Sequence, residues 1–407
     1  MNKPGKMLEI AGLAAQIILE NGAETYRVED TVVRLCRSFG FTDADVIALS
    51  TGVIISVGVP EHQEAIIRRV RKRRMNLSRV DAVNVLSRRV AGGGVSMEEA
   101  LCGLREIDKS TGLRPIWPIM AAGLSAGCFA LMFGGGLLEF GVALACGMLA
   151  QWVAHVFRQA DISLVLVSLI GGLISSFFTM GAFHLFHLTH AGVETALAGA
   201  IMPLISGLMM TNAVRDSLRG DLLSGLARGA EALLVAVMVA LGISLGLRFY
   251  LPGVGADAIA LPPPWYLGTL YAGLATMFFC PLLGVPRKSA LPALLLGMTA
   301  YGGCLLVEHM LDGGGTFALF CASAAVAVLC DLLARRMRMI ATIFLCVALI
   351  PLVPGLGLYR TMRELLLGRF EGALSMGLGT VFAVGAIALG AAIGSLRLYQ
   401  REGMKKG

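Results

Sequence analysis

The sequence predicts a polytopic α-helical membrane protein: ten transmembrane helices as two inverted five-helix repeats, preceded by an N-terminal cytoplasmic α/β domain. Three observations lead there. Apolar residues make up 56% and charged residues 15% of the 407, against roughly 45–50% and 25% in soluble globular chains. The charges are concentrated at one end: residues 1–114 hold 17 Lys/Arg and 14 Asp/Glu, and the remaining 293 residues hold 17 and 13. From Trp117 onward, apolar stretches of about 17–25 residues, the length that crosses a hydrocarbon core about 30 Å thick, follow one another with little pause. Such a chain is neither disordered nor fibrous nor an ordinary cytosolic protein. The expected divisions are 1–114 for the head, 115–250 and 251–398 for the two repeats, and 399–407 for a cytoplasmic tail.

In the head, residues 5–21 and 25–39 have helical spacing and end at Gly22 and Gly40, residues that stop helices readily. Asp45 to Val59 holds β-branched runs around Thr51-Gly52, which predicts a hairpin. Ser78 to Asp81 and Ser96 to Glu99 have the form of capping boxes and open two further helices. Arg68 to Arg79 carries seven basic residues, read as a solvated strand face or an attraction to anionic lipid ahead of any nucleic-acid site. The N-terminus, with Glu9 and Glu20 in an amphipathic helix, lacks a cleavable signal pattern.

The ten apolar stretches lie near 117–138, 141–157, 162–183, 193–212, 224–247, 265–283, 289–307, 316–333, 338–358 and 372–395. With the head inside, 13 of the 17 Lys/Arg beyond residue 114 fall in inner loops and the tail, so both termini are expected in the cytoplasm. The nine cysteines, mostly within apolar runs and without ligand spacing, read as small packing residues, and no metal or other cofactor is expected.

At an ungapped offset of 148, Pro203 to Leu208 falls on Pro351 to Leu356, Arg215-Asp216 on Arg363-Glu364, and Gly220, Gly242 and Gly246 on Gly368, Gly390 and Gly394; Pro115 and Trp117 fall on Pro263 and Trp265. Five spans per copy would set the second upside down relative to the first, a plan of secondary transporters. Pro203, Pro351 and Pro354 should break their helices, and Gly207 and Gly355 let the backbone turn. Half-helix N-termini there would suit a carboxylate, with Ser206, Thr211 and Asn212 adding polar partners in the first copy. Ionisable groups in the spans are few and therefore candidates for proton coupling or gating. Glu231 is either a proton carrier or the local partner of Arg228, Asp331 lies beside Arg335 and Arg336, and Glu194 lies near the outer entrance. Arg215-Asp216 and Arg363-Glu364 read as gates or clamps on opposite faces, or as ordinary loop charges. His184, His187 and His190 at an outer loop read as incidental. P-loop, GxSxG, HExxH and kinase patterns are absent from the sequence.

The segments Glu20 to Val32 (ENGAETYRVEDTV), Thr51 to Val57 (TGVIISV), Pro203 to Gly225 and Pro351 to Gly355 (PLVPG) resemble the threonine/serine exporter family over nearly the whole chain. In some relatives the two regions are separate proteins acting together in dicarboxylate (succinate) export; here they are fused. The resemblance implies a multi-pass exporter of the bacterial cytoplasmic (inner) membrane, for threonine and serine or for dicarboxylates, driven by the proton gradient. The family's first copy reads Pro-Gly where this chain has Ser206-Gly207. Asn21, Gly22, Glu24, Tyr26, Arg27, Glu29 and Asp30 fall on the head motif, to which a structural or gating role is assigned ahead of hydrolysis; a membrane-tethered hydrolase or sensor is the alternative. The partners expected are a small-molecule substrate, membrane lipid and protons, without nucleic acid, and a homo-oligomer is left open.

Overall fold

The computed structural model describes residues 3–59, 62–70, 75–110, 112–160, 162–187, 189–204, 207–218, 220–250, 261–311 and 314–403. It divides into two compact units. The first gathers Met1–Leu113 with Asp216–Arg228 and Leu283–Pro286; the second holds Arg114–Arg215, Gly229–Leu282 and Arg287–Gly407.

The first unit is α/β. Helices α1 (Lys3–Glu20) and α2 (Thr25–Ser38) lead into strands β1 (Ala44–Leu49), β2 (Gly52–Val59) and β3 (His62–Arg69), followed by α3 (Leu77–Ala91) and α4 (Met97–Lys109). Gly22 and Gly40 take positive φ of +90° and +89° just past α1 and α2, the left-handed conformation that glycine adopts without steric penalty. The sheet is an antiparallel meander, with Ile47 opposite Ile54 and Ile54 opposite Ile67. Its inner face buries Ala48, Val53, Ile55 and Val57 and packs against α1 and α2. Arg68, also on that face, lays its side chain over Gly12 of α1, where even a methyl group would stand 3.1 Å from the Arg68 chain.

Of the two predicted capping boxes, the second forms: the Ser96 amide donates to Glu99 at 2.8 Å and the Glu99 amide donates to the Ser96 hydroxyl at 3.2 Å. The first does not. Ser78 is already the second residue of α3, and the free amides of Leu77 and Ser78 donate instead to the carbonyls of Leu283 and Gly284, at 3.0 and 2.9 Å. A backbone segment remote in sequence thus caps the helix.

The second unit is helical: α5 (Ile116–Met132), α6 (Leu137–Gln159), α7 (Leu164–Phe186), α8 (His190–Ile201), α9 (Gly207–Leu218), α10 (Leu222–Tyr250), α11 (Trp265–Phe279), α12 (Ala290–Met310), α13 (Gly315–Met337), α14 (Ala341–Ala348), α15 (Gly355–Leu366) and α16 (Phe370–Gly403), with parts of α9 and α10 belonging to the first unit. Among the described residues six helices are long and apolar enough to cross a membrane. A seventh span is counted if the bent pair Ala341–Leu352 and Gly355–Leu365, turned by 48°, is one. The chain is a multi-pass helical membrane protein.

Helix packing repeats along the sequence. A Cβ on Gly123 would meet the Met148 side chain and the Leu144 carbonyl; on Gly273 it would meet Met298 and the Leu294 carbonyl. Gly147 lies against Ala126 and the Ala122 carbonyl as Gly297 lies against Thr276 and the Ala272 carbonyl. Gly242 and Gly246 of α10 sit on α7 at Leu169, Leu173 and Ser176, while Gly390 and Gly394 of α16 sit on α13 at Phe320, Ser323, Ala324 and Ala327. Small residues let helix backbones approach closely where lipid supplies no hydrophobic drive between them. These equivalences correct the ungapped register. It stays at 148 for the last helices but becomes 150 for α5 and α6 and 151 for α7, so Trp117 and Trp265 are not structural counterparts. In the corrected register Ser125 of α5 and Ala275 of α11 are counterparts, and the Ser125 hydroxyl donates to the Ala275 carbonyl at 3.0 Å.

Candidate functional site

Both proline-marked stretches are broken. α8 stops at Ile201, Met202 to Leu204 turn, and α9 starts at Gly207; α14 stops at Ala348, Ile350–Leu352 form a single 3-10 turn, and α15 starts at Gly355 behind Pro354. Pro203 lies in the first turn and Pro351 in the second, buried. Ser206 falls outside the described residues, as does the side chain of Thr211; Asn212 is buried on α9. The turns that follow α9 and α15 repeat closely. Gly220 and Gly368 have φ of +92° and +75°, and Asp221 and Arg369 donate their amides to the carbonyls of Asp216 and Glu364, each at 3.0 Å.

In the second unit the acid at one end of this arrangement meets several arginines. Glu194 of α8 accepts from Arg360 of α15 at 2.9 Å and lies 3.8 Å from Arg363. Arg363 also approaches Glu364 at 3.5 Å, and Arg369 reaches the other Glu364 oxygen at 3.7 Å. The Arg363 guanidinium stands 5.9 Å over the ring of Tyr359, which is 2% exposed. Leu358 and Tyr359 share an apolar cluster with Leu197 and Ala200 of α8 and Val239 of α10, so the second broken stretch packs directly on the first. A spacing of three sets Arg360 and Arg363 on one side of α15. That spacing was a signal for a clamp, but their partner Glu194 lies 166 residues away. Arg360, Tyr359 and Arg369 were not singled out from sequence. Glu231 is half-buried on α10 and Asp331 half-buried on α13. The side chain of Arg215 lies outside the described residues.

In the first unit Asp216, 1% exposed, pairs with Arg228 at 3.3 Å, and Arg228 donates to the Ala23 carbonyl at 2.9 Å. Asp216 is thus an acid partner of Arg228, across the Gly220 turn. Ala23 belongs to the head motif, whose polar groups bind neighbouring backbone and each other. Asn21 donates to the Ile17 carbonyl at 2.7 Å, Arg27 donates to the buried Glu24 at 2.7 Å and stacks on Tyr26, and Glu29 accepts from the Ala48 amide at 3.0 Å. Burial pushes the Glu29 carboxyl up despite that bond, and the like charges of Asp221 and Asp30 add to the push. Asp30 is exposed. Asp221 accepts from the Ser224 amide at 3.2 Å and so caps the start of α10. Among the described residues no group of three or more His, Cys, Asp or Glu is arranged to hold a metal.

A family model described as "Putative threonine/serine exporter" matches residues 9–250, and a second, "Threonine/Serine exporter, ThrE", matches residues 268–396. The chain belongs to the threonine/serine exporter family. A Mycobacterium tuberculosis relative named "Probable threonine/serine exporter" is 24% identical over 384 residues, 88% of this chain and 69% of its own length. The "Threonine/serine exporter" of Corynebacterium glutamicum is 22% identical over 405 residues, 94% of this chain and 81% of its own length. A Klebsiella aerogenes protein named "Probable succinate transporter subunit YjjP" is 23% identical over 235 residues, 54% of this chain and 85% of its own length. No solved structure matches. Within this exporter family the chain carries both regions in one polypeptide, and the broken helices and paired charges fall in each.

Proposed function

We propose that the chain exports threonine and serine across the bacterial inner membrane as a secondary transporter, driven by the proton gradient and working by alternating access. The observation that carries this reading is the pair of broken helices at counterpart positions, α9 starting at Gly207 and α15 at Gly355. A helix start carries partial positive charge that suits a substrate carboxylate, the Gly355 amide itself being engaged by the Val353 carbonyl at 2.8 Å, and unwound backbone at membrane depth is tolerated where it lines a wet cavity. Taking α8 with α9 and α14 with α15 as single broken spans, and α5 and α11 as short ones, gives ten spans, five per repeat. An odd number inverts the second copy. The Asp216–Arg228 pair then closes one face and the Glu194, Arg360, Arg363 and Glu364 cluster the other, opening in alternation. The arginine excess of the inner loops supports cytoplasmic termini. Glu231 is proposed as the proton carrier, with Asp331 second. The head motif, its polar groups engaged on the head's own backbone and on Arg228, is assigned to positioning and gating.

The succinate reading is favoured by the adjacent Arg360 and Arg363, which suit a second carboxylate. Purified protein in vesicles, given labelled threonine or labelled succinate with a proton gradient imposed or collapsed, decides between them. Gradient-dependent threonine movement that loses its gradient dependence in Glu231→Gln is expected. Movement of succinate alone would transfer the site to dicarboxylates, and movement of neither would sink the proposal.

A further inference from the structure

The outer face of the three-stranded sheet, turned away from α1 and α2, carries an apolar row that the first unit leaves open. Ile47, Ile54 and Ile67 stand directly opposite one another across all three strands and are 56%, 39% and 73% exposed. Single exposed apolar residues are ordinary, but an aligned row on one face is how a sheet is built for burial. The charges around the row are opposed. Asp43 and Asp45 stand exposed at one end of β1, and Arg69 stands exposed at the opposite end of β3, at the far corner of the same face.

We infer that this face docks a second copy of the chain, sheet on sheet, about a two-fold axis passing near Ile54. Acid at one corner and base at the diagonal corner make the face complementary to itself. An axis lying in the interface along the other diagonal sets Asp45 of each copy over Arg69 of the other and Ile54 over Ile54. The strands then cross near a right angle, one of the two favoured ways for sheets to pack, and the contact is closed and isologous. A bilayer is the competing occupant, since Arg71, Lys72, Arg73 and Arg74 follow β3 in the sequence. The aspartates on the same face oppose docking to an anionic surface and favour the protein partner.

The mass of the full-length protein in detergent, measured by light scattering with the detergent subtracted, tests this. The wild type is expected as two chains. Ile54→Asp and Asp45→Arg should each reduce the mass by half, and Asp45→Arg combined with Arg69→Asp should restore it. That restoration also guards against a variant that merely misfolds, because a misfolded head is not rescued by a second charge reversal. A monomeric wild type, a dimer that survives Ile54→Asp, or a double reversal that stays monomeric overturns the inference. So does an Ile54→Cys variant, in a Cys102→Ser background that removes the exposed native thiol, whose reaction with a water-soluble thiol reagent slows in vesicles of anionic lipid while the protein stays monomeric, since that assigns the face to the bilayer.

Discussion

Glu29 and Glu99 sit in the same head, each accepting a backbone amide, and titrate in opposite directions. Burial and the nearby Asp221 and Asp30 raise Glu29 above the usual 4.5, whereas Glu99, fully solvated, is lowered by its bonds to Ser96. A carboxyl held high when folded keeps its proton where the unfolded chain has lost it. Folding stability from Glu29 is therefore full below 4.5 and falls as pH rises from there through its raised value. Glu99 contributes in the reverse sense, losing its part as pH falls through its lowered value. Glu29→Gln keeps an acceptor for the Ala48 amide, so the variant's unfolding midpoint should decline less than that of the wild type as pH rises above 4.5. Thermal melting at a series of pH values measures it, and an unchanged slope would remove Glu29 as the cause. Of the head motif, the sequence showed which residues are polar; it could not show that Ala23, an alanine, matters through its carbonyl, because Arg228 approaches from 205 residues away.

Helix seams make the repeat testable element by element. Gly242 faces backbone of α7 and Gly390 faces backbone of α13, with no room for a side chain at either. Overpacking of this kind costs about 1–3 kcal/mol, so Gly242→Leu and Gly390→Leu should lower the melting temperature by similar amounts, while Gly385→Leu, with nothing within 4 Å, should not. Unequal losses at the two seams would argue against equivalent packing. The breaks at Pro203 and Pro354 were legible beforehand, since proline acts on its own helix turn. The start of α3 was not: Ser78 looked like a cap because the rule is local, and the carbonyls of Leu283 and Gly284 that serve α3 are distant. The register change was likewise hidden: the offset rises by one residue, from 150 to 151, between α6 and α7 and falls by three, to 148, by α9, and apolar composition carries no mark of such small differences in length.

At the scale of the whole molecule, the proposed inversion of the repeats would send counterpart turns to opposite sides. Leu222 and Phe370 begin α10 and α16 and are 68% and 70% exposed. In a Cys102→Ser background, which removes the exposed native thiol, Leu222→Cys should react with an impermeant thiol reagent only from the cytoplasmic side and Phe370→Cys only from outside. Labelling of both from one side would refute the inverted arrangement. The ten apolar stretches and the Arg bias made that topology readable as an expectation, whereas the pairing of Glu194 with Arg360 depends on tertiary folding that no local pattern encodes. The hydrogen bond from Ser125 to Ala275 joins a residue to its own counterpart. When two inverted halves trade conformations, the separation between any residue and its counterpart maps onto itself, whatever happens elsewhere. Under the proposed alternating access a covalent staple there is invisible to turnover: Ser125→Cys with Ala275→Cys, once oxidised, should leave transport running, while Glu194→Cys with Arg360→Cys should arrest it until reduced.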